Sequence, residues 1–205
     1  MARPFLSPAQ VEQRRGEILD AAEALFESQG PEAVSMRRIA ARTGCSPNTP
    51  YRVFPSKEHL FLGLRIRAYQ ALRADLEAAA ASAPAGLGRL RAISTAYVRF
   101  ALDRTRAYEL LFRVGSAGED DPDLESAKYE ALGVCRRALE EAAAAGDVSL
   151  DTDALTAAHL FWAAAHGAVS LHLGGQLVMG RSLEQVAPLL ITTLLEGLSR
   201  RRNES

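Results

Sequence analysis

Four histidines and two cysteines are the side chains here best suited to metal or nucleophilic chemistry. His159, His166 and His172 share one helical stretch, with His159 and His166 a heptad apart. Two helical turns separate that pair by about 10 Å along the axis, too far for one ion without a partner element. No HExxH, P-loop, GxGxxG after a strand or nucleophile elbow is present. The expectation is therefore no enzyme, no metal and no cofactor. Cys45 lies near arginines that would favour a thiolate, but a small apolar plug is the favoured reading. A different chemistry lies in residues 35–57, which hold Arg37, Arg38, Arg42, Arg52 and Lys57 and no Asp or Glu, in a chain of net charge −1. Such a patch suits DNA phosphates or a solvated helix face, and charge alone does not choose.

Helices must position these residues. Alanine, leucine, arginine and glutamate are abundant and strand formers are scattered, which favours helix throughout. Residues 1–8 read as irregular. Residues 10–28 form an amphipathic helix with Ile18, Leu19, Ala22, Leu25 and Phe26 on one face, ended by Gly30-Pro31. Ser35 is an N-cap for a short helix, Gly44 supplies a tight turn, and Ser46 with Pro47 starts a second short helix. Phe54-Pro55 stops it and Ser56 caps the next. Two short helices joined by a turn of about three to four residues match a helix-turn-helix, and also an ordinary helical hairpin. Further helices are expected over 56–81, 87–102, 106–114, 124–145, 152–173 and 183–201, with a flexible acidic loop at 115–123.

Residues 36–60 (MRRIAARTGCSPNTPYRVFPSKEHL) resemble the DNA-binding signature of the TetR family. With the preceding helix, the resemblance covers about a quarter of the chain. It implies phosphate contacts from Thr49, Tyr51 and Lys57, which fix register without reading sequence. It implies base-edge contacts from Asn48 and Arg52, base or backbone contact from Arg37, and apolar contacts at the groove from Met36 and Pro47, and it counts Ser35 among the DNA-binding residues. Pro50 stands where the family usually has Leu or Ile. If Ser46 caps the recognition helix, Pro50 removes its first intrahelical N–H bond and bends it.

The segment FWAAAHGAVSLHL, holding Trp162, His166 and Gly167, resembles a ligand-domain subgroup of the same family named for its tryptophan and His-Gly pair. That resemblance implies dimerisation through the last two helices, packed with their mates as a four-helix bundle. A hydrophobic or aromatic effector would be lined by Tyr97, Phe100, Tyr108, Phe112, Trp162 and His166; a packed core is the competing reading for the Trp-His pair. The whole is expected to be all-α with about nine helices. Residues 1–58 would be a three-helix helix-turn-helix domain, and 59–205 a ligand-binding and dimerisation domain. The expected function is a cytoplasmic homodimeric repressor on a palindromic operator, released by a small effector. The alternative is an effector-independent regulator or activator of the same fold. No signal peptide and no membrane-spanning run are expected, residues 155–173 coming closest.

Overall fold

The computed structural model describes residues 7–112 and 120–200, with side chains through 197. The described residues are all-helical, in nine α-helices and one 3-10 turn. They are α1 (Pro8–Gln29), the turn Pro31–Ala33, α2 (Met36–Thr43), α3 (Thr49–Val53), α4 (Lys57–Ser82), α5 (Leu87–Asp103), α6 (Thr105–Leu111), α7 (Pro122–Ala144), α8 (Ala154–Leu173) and α9 (Leu183–Arg200). The chain packs as two units. The first holds residues up to Ala68 together with Arg106–Leu124; the second holds Tyr69–Thr105 and the residues from Glu125 on. Packing thus cuts the chain later than the boundary expected at 58/59 from the sequence, and assigns α6 to the first unit.

Local chemistry sets the helix ends in the first unit. α1 starts earlier than residue 10, because Ser7 and Gln10 form a capping box: Gln10 N–H donates to Ser7 Oγ at 3.3 Å, and Ser7 N–H to Gln10 Oε1 at 2.8 Å. Pro8 then occupies the first turn, where a missing N–H is harmless. The expected irregular segment is therefore helical at Pro8, and residues 1–6 lie outside the described residues. Ser35 caps α2 as expected, and Gly44 ends it in the left-handed region at φ 65°. One core holds Ile18, Leu19, Leu25 and Phe26 of α1, Met36 and Ile39 of α2, then Phe54, Leu60, Phe61, Leu64 and Leu110. Phe26 meets Phe61 edge-on at 6.0 Å.

In the second unit α5, α8 and α9 pack on one another. Asp153 caps α8, accepting Thr156 N–H at 2.9 Å and the Thr156 hydroxyl at 2.7 Å, and these bonds hold its carboxyl below the ordinary aspartate range. α8 is long and apolar enough to cross a membrane by length and composition, with a mean hydropathy of 1.2. This departs from the sequence expectation, because its alanines and leucines outweigh its histidines in the average. Of the expected acidic loop, residues 115–119 lie outside the described residues, and Pro122 and Asp123 already belong to α7.

Candidate nucleic-acid interface

α3 is one helical turn, and its start decides what the motif presents. Ser46 does not cap it through a backbone N–H. Its hydroxyl lies 2.8 Å from the Thr49 hydroxyl, and the Ser46 carbonyl accepts Thr49 N–H at 2.9 Å. Pro47 and Asn48 form the turn, with Asn48 at φ −86°, ψ −11°, and the helix begins at Thr49. Pro50 therefore sits in the first turn, where its absent N–H has no acceptor to lose. Its carbonyl accepts Phe54 N–H at 2.8 Å, and its ring is buried. The expected bend at Pro50 does not occur, because the helix starts three residues after Ser46 rather than directly after it.

The side chains then divide. Arg37, Arg42, Pro47, Asn48, Tyr51, Arg52 and Lys57 are exposed, Tyr51 at 55%; Ser35 and Thr49 are half-buried. Met36 is 4% exposed and lies in the core, so it offers no surface to a groove. Its spacing to Ile39 and Ala40 is the inward stripe of α2, which is why it turns in. Ser35 spends its oxygen on Arg38 N–H at 3.3 Å. Arg38 is also tied, donating to Gln29 Oε1 at 2.7 Å and to the Ala33 carbonyl at 3.1 Å. Arg37, Arg42, Asn48, Tyr51 and Arg52 have no hydrogen bond or ion pair among the described residues. Lys57 donates to the Pro31 carbonyl at 3.3 Å and lies 5.6 Å from the Phe61 ring centre, which leaves donors of its ammonium free. Beside it, Ser56 accepts His59 N–H at 3.4 Å, and the Ser56 hydroxyl holds the exposed Glu58 carboxyl below its ordinary range. Cys45 is half-buried with Thr43 Oγ1 at 3.1 Å from its sulfur.

Three arginines that sequence reasoning passed over brace this unit. Arg15 lies over the Phe54 ring at 4.7 Å. Arg106 of α6 donates to the Phe26 carbonyl at 3.0 Å and also to the Glu27 carbonyl, at the C-terminus of α1. Arg65, buried at 6% exposure, donates through Nε to the Leu111 carbonyl at 3.1 Å, at the end of α6. Arg106 and Arg65 thereby reach the Glu27 and Leu111 carbonyls, near helix ends where intrahelical donors run out, while Arg15 covers a ring. For Arg65 alone the sequence holds a hint, two arginines (Arg65 and Arg67) inside the apolar run FLGLRIRAY, but nothing in it names the partner carbonyl.

The six expected ligand-lining residues fall in different units. In the second, Tyr97 and Phe100 are buried, and half-buried Trp162 donates from Nε1 to Tyr97 Oη at 3.1 Å. The His159 ring lies 5.9 Å from that of Trp162. His166 is half-buried, with Nε2 at 3.3 Å from Ser170 Oγ, and burial lowers its pKa. In the first unit the Tyr108 and Phe112 rings meet at 5.1 Å. A groove of about 260 Å³ in the second unit is lined by Glu77, Ala80, Ala81, Arg89, Val134, Arg137, Ala138 and Glu141, none of them an expected lining residue.

Two family models match. One, for bacterial regulatory proteins of the tetR family, covers residues 18–64; the other, a tetracyclin repressor-like C-terminal domain, covers 90–194, more than half of the chain. The second carries the family and not the tryptophan and His-Gly subgroup. A KstR transcriptional repressor of Mycolicibacterium smegmatis is 41% identical over 68 residues, 33% of this chain and 33% of that protein. The match thus spans about a third of the length of that relative. A solved structure from Rhodococcus sp. RHA1, of unknown function, aligns at a TM-score of 0.77 and 28% identity, over 97% of this chain and all of that one. FadR from Bacillus subtilis, solved with stearoyl-CoA, shares the fold at a TM-score of 0.66 and 16% identity, over 90% of this chain and 97% of that one.

Proposed function

This chain belongs to the TetR family, DNA-binding transcriptional regulators that are not enzymes, and from that premise we propose that it is a homodimeric, cytoplasmic repressor on a palindromic operator, released by a small molecule. The observation that carries the reading is the exposed set Arg37, Arg42, Asn48, Tyr51 and Arg52, side chains with no polar partner among the described residues, on the two helices of the motif and their turn. Residues 1–58 serve as the DNA-binding part. Tyr51, Thr49 and Lys57 contact phosphates; Asn48 and Arg52 reach base edges; Arg37 reaches base or backbone; Pro47 makes an apolar contact. Residues 59–205 bind the effector and dimerise through α8 and α9. Two-fold symmetry sets half-site centres about 34–36 Å apart or more. Tyr97, Phe100, Trp162 and His166 of the second unit favour a hydrophobic or aromatic effector, which acts through its differential affinity for two conformers.

The test is a mobility shift with DNA flanking the coding region at two salt concentrations. The expected result is a specific, salt-sensitive complex of two chains per site. Tyr51→Phe should weaken it on all sequences, and Arg52→Ala should relax preference at one position. Affinity and sequence preference of both variants unchanged from those of the unaltered chain overturn the reading.

A further inference from the structure

α3 has five residues, too few to hold a helix or its direction without packing. Its inner side is Pro50, Val53 and Phe54, and its outer side carries Tyr51 and Arg52. Phe54 is the largest of the inner three and is 1% exposed. Its N–H donates to the Pro50 carbonyl at 2.8 Å, so a displacement of Phe54 carries the helix with it.

Two neighbours confine the Phe54 ring. The Arg15 guanidinium of α1 covers it, 4.7 Å from the ring centre. Arg15 is half-buried and makes no hydrogen bond or ion pair among the described residues, so the ring is what it holds. The second neighbour is Gly63 inside α4, where a Cβ would lie 3.2 Å from Phe54 Cε1 and 3.0 Å from Leu19 Cδ2. Both separations are tighter than ordinary van der Waals contact, so the ring edge rests against bare backbone. Glycine weakens a helix interior, and here it leaves the ring its room. One turn along α4, Arg67 donates to Asp20 Oδ1 at 2.6 Å and to the Gly16 carbonyl at 3.3 Å, which ties α4 to α1 beside the ring.

We propose that Arg15 and Gly63 are positioning residues for operator reading: through Phe54 they set the angle at which α3 presents Tyr51 and Arg52, and neither touches nucleic acid. This rests on the DNA-binding reading above. Base-edge hydrogen bonds tolerate a spread of only about 0.5 Å in length, whereas attraction to phosphates falls off slowly with distance. Moving the ring by a few tenths of an ångström therefore costs sequence preference before it costs binding to DNA at large.

The experiment uses the full chain and the duplex it selects from random oligonucleotides, with a scrambled duplex of equal length as the non-specific probe. Arg15→Ala and Gly63→Ala should each lower affinity for the selected duplex about tenfold or more, the worth of one bidentate base contact. Affinity for the scrambled duplex, and the slope of log K against log salt, should stay close to those of the unaltered chain. Arg15→Lys should recover part of the loss, since an ammonium keeps the attraction to the ring without the flat cover. A slope lower by about 2 in an Arg15→Ala dimer overturns the proposal and makes Arg15 a phosphate contact. A parallel loss on both duplexes also overturns it, because a partly unfolded population loses both alike. Unchanged preference in both variants overturns it as well. Gly63→Ala guards against misfolding: removing a helix glycine favours α4 itself, so preference lost at undiminished helix content isolates the position of the ring. An unaltered chain that selects no duplex overturns the DNA-binding reading, and this proposal with it.

Discussion

Pro50 shows how much a side chain's effect depends on where its helix begins. In the first turn of α3 it removes no hydrogen bond. Pro50→Ala should therefore give no gain; a slight loss of about 1 kcal/mol is expected from its buried ring and a looser unfolded chain. Relief of a proline deep in a helix would instead stabilise by about 3 kcal/mol, and urea melts separate the two. Tyr51 packs on little, so Tyr51→Phe should lower operator affinity with no shift in melting temperature. His166 offers a pH test. Burial lowers its pKa, so folding favours the neutral ring. The unfolded chain protonates near the ordinary 6.5, and stability should fall as pH drops below that value until the folded ring also takes a proton. His166→Asn should flatten that slope in melts between neutral and mildly acid pH. Ser35 and Gly44 were legible in the sequence because their bonds are local. Met36 was misplaced at the groove, although its spacing to Ile39 and Ala40 marked it as inward.

Among the elements, α6 is short, and carbonyl-capping arginines anchor it at two points. Arg106 donates to two carbonyls at the end of α1, and Arg65 to the end of α6 itself. Arg106→Ala should destabilise by about 1.5–3 kcal/mol, the worth of hydrogen bonds from a charged donor. Hydrogen exchange should show the loss at the last turn of α1. Lysine should restore only part of it, since one ammonium lacks the planar fork that reaches both carbonyls. Most helix limits were readable to within two or three residues, from Gly30, Ser56 and the Pro84–Gly88 break. The start of α3 was not, because Ser46 bonds a hydroxyl instead of a backbone N–H, and no spacing rule separates those outcomes. The arginine caps were not legible either. They join residues 46 or more apart in sequence, and only tertiary packing brings them together.

For the whole molecule, a net charge of −1 conceals the local basic face, and salt titration exposes it. Each phosphate contact contributes about 0.9 to the slope of log K against log salt. Lys57→Ala in a dimer should therefore reduce that slope by about 2, and an unchanged slope removes Lys57 from the phosphate contacts. The all-helical plan and the motif were readable in advance because both are periodic. The assignment of α6 to the first packing unit was not, since it depends on contacts between distant segments. One further consequence follows from the bond between Trp162 and Tyr97. The chain has a single tryptophan, so its indole emission comes wholly from the second unit, while the DNA-binding unit is dark at that wavelength. The indole N–H is held by a phenol, and an imidazole sits beside it. A molecule that displaces either neighbour should change the colour or brightness of this one fluorophore, so the protein carries a label-free optical reporter for screening the proposed effector.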